Sequence, residues 1–142
     1  MKIPLKNKKA RGFTLIELMV VVLIIAVLAS LLVPKVIGKQ DEAKAKATLS
    51  NIARISSVLN NFRLDCDRYP TNEEGLNALV NAPSDANGWK GPYIEGQVPL
   101  DAYGNDFVYQ TPGPIGEDSF FLSSNGKDNQ PNTDDDISNL DL

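Results

Sequence analysis

Two places in this chain carry residue types that could do chemistry. The first is Asn125-Gly126-Lys127-Asp128-Asn129-Gln130-Pro131-Asn132-Thr133-Asp134-Asp135-Asp136-Ile137. It holds four carboxylates, several amide oxygens and a single cation, Lys127. Hard oxygen donors crowded in this way suit calcium, which takes roughly six to eight of them. Three adjacent aspartates repel one another unless something neutralises them. A solvated acidic tail is the competing reading of the same residues. The ligand order of an EF-hand is absent. The second place is Glu17, near the start of an apolar run of 21 residues, Phe13 to Val33, in which only Thr14, Glu17 and Ser30 are polar. A carboxylate at bilayer depth is costly unless it is paired or close to the interface. Glu17 is therefore either a group that needs a partner or a carboxylate resting at headgroup level.

Other chemistries find little support. The 142 residues include no histidine, the commonest general base and metal ligand. There is no nucleophile motif and no phosphate-binding loop, so an anchored enzyme is not the favoured reading. The one cysteine, Cys66, cannot make an intrachain disulfide and reads as a packed residue on a helix face. Charge is uneven. The five charges in Met1–Gly12 are all positive, which leaves nine basic against 18 acidic groups in the rest. An acidic body without a basic patch argues against nucleic-acid binding.

The elements that must position these groups follow from periodicity. The apolar run is long enough to cross a bilayer as a helix. Ala29-Ser30-Leu31 is a poor match to a signal-peptidase site, so the run should be retained. The Lys/Arg cluster ahead of it should stay cytoplasmic, placing everything after Val33 outside. Pro34 and Gly38 mark a point where this helix should kink or loosen. Beyond it, Ile52, Ile55, Leu59, Phe62 and Cys66 step by three and four, one apolar stripe of a helix. Asp41 with Lys44, and Glu42 with Lys46, have the spacing of helical ion pairs. Asp67-Arg68-Tyr69-Pro70 should end the helix. Thr71 and Glu74 have the spacing of a capping box, predicting a short second helix with Leu76, Leu79 and Val80 inward. Strands are predicted over 106–111 and 119–124, with a third over about 94–98. The expectation is an α+β fold, a long N-terminal helix, hydrophobic then amphipathic, packed on a small three-stranded antiparallel sheet.

Arg11-Gly12-Phe13-Thr14-Leu15-Ile16-Glu17 resembles the prepilin peptidase site of type IV pilins and their relatives. The resemblance implies cleavage between Gly12 and Phe13, N-methylation of Phe13, and a role for Glu17 in assembly. In a fibre, Glu17 would pair with the Phe13 amine of a neighbouring subunit, because leaving either charge alone in an apolar core is costly. The segments Tyr69-Pro70-Thr71 to Gly75-Leu76-Asn77-Ala78-Leu79-Val80, Trp89-Lys90-Gly91-Pro92-Tyr93-Ile94, and Pro99-Leu100-Asp101-Ala102-Tyr103-Gly104 resemble the major pseudopilins of type II secretion. In the last of these Ala102 and Tyr103 depart from the family's P-x-D-P-W-G. Leu122-Ser123-Ser124-Asn125-Gly126 with Asp135-Asp136-Ile137 is similar to that family's calcium loop. Carried over, the ligands would be the Leu122 carbonyl and the side chains of Asn125, Asp135 and Asp136. Asn125 stands where the family usually has aspartate, and Asp128 or Asp134 would be placed to compensate.

The resemblance therefore implies a pilin-like fold with three parts: a leader, 1–12; a transmembrane and fibre-core helix, 13–36; and a periplasmic domain with a calcium loop, 37–142. The implied partners are further copies of the chain in a homopolymer, minor pseudopilins, the prepilin peptidase, an assembly platform in the inner membrane, and the membrane itself. The alternative, a type IV pilin for adhesion, motility or DNA uptake, shares everything through Val36. It usually closes its C-terminal region with a disulfide, which one cysteine cannot form. On this reading the processed chain begins at N-methylated Phe13. Intact-mass analysis of the membrane-extracted protein checks it; a chain still carrying Met1–Gly12, or one cut after Ser30, overturns it.

Overall fold

The computed structural model describes residues 12–142, with the side chains of 31–37 outside the description, so Lys8 to Arg11 of the peptidase motif and the side chain of Pro34 lie outside the described residues. Two compact units divide at Gln40/Asp41, within a single helix, α1 (Leu15–Cys66). In the first unit, Thr14 and Glu17 open the helix reciprocally. The Glu17 carboxylate accepts from the Thr14 N–H and hydroxyl, both at 3.2 Å, and the Thr14 hydroxyl accepts from the Glu17 N–H at 3.3 Å. Two orphan groups of the helix start are thereby satisfied. Every large apolar side chain from Phe13 to Leu28 is exposed, Phe13 by 80%. Among the described residues no helix is long and apolar enough to cross a membrane; the described side chains of the apolar run end at Ser30.

In the second unit α1 buries its predicted stripe. Ile52, Leu59 and Phe62 are fully buried and Ile55 nearly so. Burying each contributes about 1.5–3 kcal/mol. Cys66 completes the stripe at the edge of this core, and burial pushes its thiol pKa up. The helix ends where predicted. Asp67 takes a left-handed φ of 56°, and its N–H makes a last bond to Arg63 O at 2.8 Å. Pro70, three residues on, cannot rejoin a helix.

The stripe packs under a sheet of three antiparallel strands in the order β1 (Val108–Gln110), β2 (Phe121–Ser124), β3 (Ile137–Ser138). Tyr109 faces Leu122, and Ser124 faces Ile137. The first two strands lie inside their predicted ranges. The third does not come from 94–98. There the N–H groups of Tyr93 and Ile94 both donate to Leu79 O, at 2.8 and 3.0 Å. Gly96 then turns the chain with φ 81°. Ile94 is buried as a plug, not as a strand residue. The sheet's free edge is taken by the C-terminal segment instead, and Asn139 prolongs it. The Asn139 amide accepts from Leu122 N–H at 3.0 Å and donates to Phe120 O at 3.2 Å.

The Thr71–Glu74 box forms as predicted, with Glu74 accepting from Thr71 N–H at 2.8 Å and Thr71 accepting from Glu74 N–H at 3.2 Å. The helix beyond it, Gly75–Leu79, is 3-10 and not α. Gly75 takes φ 56°, which breaks helical continuity directly after the box. Leu79 is fully buried, with Ala78 beside it, while Leu76 and Val80 are half-buried. Glu74 also receives Arg68 in a two-pronged pair, at 2.7 and 2.8 Å. Arg68, followed by contacts to Thr71, holds the Glu74 carboxyl below its ordinary 4.5, against the opposing effect of burial. A depressed carboxyl stabilises the fold above its unfolded pKa and loses that contribution as pH falls through the folded value. Glu74→Gln should therefore cost roughly 1–3 kcal/mol at pH 7. The gap to the parent should close as pH drops below about 4.5. Denaturant melts across that range test it, and a gap independent of pH would rule the pair out as its source.

Candidate functional site

The register Ser124–Ile137 fixes the geometry of the oxygen-rich segment. Continuing that antiparallel pairing brings Asn125 towards Asp136 and Gly126 towards Asp135. The contacts agree: a Cβ on Gly126 would collide with the backbone carbonyl and carboxylate of Asp135. Asn125 and Gly126 thus lie across the loop mouth from Asp136 and Asp135, while Leu122 lies farther along β2, opposite Asn139. The N–H of Leu122 is taken by Asn139 on the β3 side. A strand residue's N–H and C=O point the same way, so the Leu122 carbonyl faces that side as well.

Within the loop, the Asp135 carboxylate accepts from the N–H groups of Lys127 at 2.6 Å and Asp128 at 3.2 Å. The Asp136 carboxylate accepts from Asn132 N–H at 2.7 Å. Asn129 and Asn132 supply two left-handed turns, with φ 55° and 66°. The Thr133 hydroxyl, followed by the N–H of Asp128, holds the Asp135 carboxyl below the usual carboxylate range.

The Thr133 hydroxyl is the centre of the loop. Its oxygen lies 2.8 Å from Asp135, 3.3 Å from Asp136, 3.3 Å from Asp128 and 3.1 Å from Gln130 O. One hydroxyl proton cannot serve four acceptors. The donor set is rich in hard oxygen and short of positive charge. Lys127 does not relieve it, because its ammonium turns to Asp41 on α1, at 2.8 Å. The predicted Asp41–Lys44 pair is replaced by this contact; Lys44 sits instead over the Tyr103 ring at 5.5 Å. Glu42–Lys46 forms at 2.6 Å on the solvated face. Among the described residues no three histidine, cysteine, aspartate or glutamate side chains gather into a group able to hold a metal. The three carboxylates close around a hydroxyl and not around an open point. A cation here needs the mixed set of Asp135, Asp136, the Asn125 amide and a carbonyl, and those atoms have the chemistry calcium favours. Of the two compensating acids, Asp128 joins the cluster, while Asp134 is exposed and shares none of these bonds.

A buried polar anchor lies beneath the loop. Asp101 is only 6% exposed. One of its oxygens accepts from the N–H groups of Tyr103 and Asn105, at 2.9 and 2.8 Å, and the other from the Ser124 hydroxyl at 2.6 Å. Ser124, fully buried, in turn accepts from Gly126 N–H at 3.1 Å. The sequence shows a turn at Asp101 but not its distant partner Ser124.

A long helix carrying a three-stranded antiparallel sheet, opened by a methylation-type motif and closed by a C-terminal oxygen loop, defines a pilin-like subunit. Known proteins narrow the class. A family model described as "Type II secretion system (T2SS), protein G" matches residues 35–140. Another, "Prokaryotic N-terminal methylation motif", matches residues 7–33. The chain is 43% identical to type II secretion system core protein G of Escherichia coli K12 over 94% of this chain and 93% of that one. It is 40% identical to the protein of that name from Klebsiella michiganensis, over 97% and 98%. The crystal structure of the major pseudopilin from the type 2 secretion system of enterohaemorrhagic E. coli aligns with TM-score 0.66 at 35% identity, over 75% of this chain and 94% of that chain. The chain belongs to the type II secretion system protein G family.

Gly126 gives this geometry a direct test. It has φ 63° and no room for a Cβ beside Asp135, whereas Gly75 has φ 56° and open space. Gly75→Ala should cost only the left-handed backbone penalty, about 1–2 kcal/mol. Gly126→Ala should cost measurably more in the same denaturant titration. Equal losses would mean that Asp135 does not press on Gly126.

Proposed function

We propose that this chain is a structural, non-enzymatic subunit that polymerises into the periplasmic pseudopilus of a type II secretion system and promotes export of folded proteins across the outer membrane. The observation that carries the reading is the protein G match over the whole body of the chain, 35–140, joined to the methylation motif at 7–33. The type IV pilin alternative is disfavoured, because the named relatives align over nearly the full chain as secretion proteins. The C-terminal region is also closed by strand pairing and not by a disulfide, with Cys66 free on α1.

On this reading the prepilin peptidase cleaves between Gly12 and Phe13, and Phe13 is N-methylated. The helix over 13–36 first holds the chain in the inner membrane, body outwards, and then packs in the fibre core beside other copies. The exposed apolar side chains from Phe13 to Leu28 are what such packing would cover. An inner-membrane assembly platform and minor pseudopilins are the further partners. Calcium is the proposed ion of the C-terminal loop, held by the Leu122 carbonyl, Asn125, Asp135 and Asp136, with Asp128 nearby. Bound there, it would neutralise the carboxylates crowded on Thr133 and clip the loop to β2.

Glu17 separates fibre assembly from simple membrane residence. In the isolated subunit its carboxylate is occupied by Thr14. In a fibre the Phe13 amine of a neighbour is the stronger partner, because both groups are charged. Glu17→Gln should insert normally and keep a helix cap. It should lose a charge-assisted bond at each subunit interface, and sheared-fibre yield should fall roughly tenfold or more, with cargo retained in the periplasm. Normal yield and export at equal expression would reduce Glu17 to a helix cap.

A further inference from the structure

The acid loop has two arms, and they are held differently. The Asp135–Asp136 arm is tied within the loop, through Thr133 and the N–H groups of Lys127, Asp128 and Asn132. The Leu122–Gly126 arm is tied to the body. Ser124 is its buried knot, joining Gly126 N–H on one side to the Asp101 carboxylate on the other. Asp101 is in turn set by its own turn, whose Tyr103, Asn105 and Gly104 N–H groups all point back to Asp101. That turn is fastened to α1 where the Ala102 N–H donates to the Thr48 hydroxyl at 3.2 Å, Thr48 being fully buried. Asn105 adds a second line to the loop, its amide donating to Gly126 O at 3.4 Å.

A continuous hydrogen-bonded path therefore runs from Thr48 on the helix, through the turn at Asp101, to Ser124 and Gly126. Gly126 lies directly against Asp135, so the path ends on a proposed ligand. Asn125 sits between the two fastened residues, Ser124 and Gly126. Asp101 itself has both oxygens occupied by N–H and O–H donors and is covered from solvent. It differs from Asp135 and Asp136, which are half-buried and bonded within the loop, in being buried with its donors in its own turn and in Ser124. A buried carboxylate used up by donors fixes whatever those donors belong to, because leaving any of them unpaired is costly.

We propose that Asp101, acting through Ser124, is the positioning residue that holds the Leu122–Gly126 arm in cation-binding geometry, so that calcium affinity is set by a turn outside the acid loop. This rests on the calcium reading of the loop. Outer-shell groups that fix metal ligands typically change affinity by about 10–100-fold when removed. The same range is expected here, without the loss of any ligand atom.

The test uses the full chain in detergent, with calcium chloride titrated by calorimetry and with melts followed by the fluorescence of Trp89, the only tryptophan and packed against the core. The parent should bind calcium, and chelator should lower its melting midpoint. Ser124→Ala should weaken binding by about 10–100-fold at a temperature where its fluorescence shows it fully folded. Asp101→Ala should do the same. Asp101→Asn keeps an oxygen for Tyr103 and Asn105 and can donate to Ser124, so it should recover most of the affinity. If the parent binds calcium and Ser124→Ala, folded, binds it equally well, the positioning role is wrong, whatever the chelator midpoints do. It is equally wrong if Asp101→Asn and Asp101→Ala are equally weak, since a merely structural carboxylate predicts no graded rescue. If the parent itself shows no binding at millimolar calcium, the calcium reading fails first and this inference goes with it.

Discussion

The body of this protein depends on the burial of one stripe of α1. Its three strands contribute three, four and two residues, and so small a sheet is not stable alone in water. The sheet persists because Leu122 and Phe120 bury against Ile52, Ile55, Leu59 and Phe62. The 3-10 helix and the plug at Ile94 close the same core. At the stripe's upstream end the chemistry changes, for Thr48 is as buried as Ile52 but polar. Its hydroxyl is satisfied by Ala102, and from that contact the polar support of the C-terminal loop begins. One helix face thus does two jobs, apolar packing below and polar anchoring above.

This division explains what could be read from the chain and what could not. The stripe was legible because spacing by three and four is a local signal. The Thr71–Glu74 box was legible for the same reason. The short helix expected after it forms as a 3-10 helix, with Gly75 in the left-handed region one residue after the box. The third strand is misplaced. Residues 94–98 have β-prone types, but the N–H groups of Tyr93 and Ile94 are taken by Leu79. Ile137–Ser138 is too short to announce itself. It becomes a strand because β2 offers a free edge and Asn139 extends the pairing by its side chain. Ion pairs follow the same rule. Glu42–Lys46 is set by helix spacing, while Asp41 is claimed by Lys127 from 86 residues away. Asp101 is the clearest case. Its turn is visible in the sequence, but the meaning of the turn lies in Ser124, which no local pattern connects to it.

The charge balance of the body links the loop to assembly. After Gly12 the chain carries twice as many acids as bases, and like charge opposes close packing of identical subunits. Several of its cations are engaged within the body: Arg68 on Glu74, Lys90 on Asp65, Lys46 on Glu42 and Lys127 on Asp41. Among the described residues no cation pairs with the carboxylates of the acid loop, and their crowding falls on a single hydroxyl at Thr133. Adding lysines there would neutralise the charge, but each would bring a flexible side chain to be ordered. A divalent ion would neutralise two charges with no side chain to order. On the proposed reading, such an ion lowers the repulsion each subunit presents to the next. On the same reading it would complete a loop whose one arm is already fixed to the helix stripe through Ser124, Asp101 and Thr48.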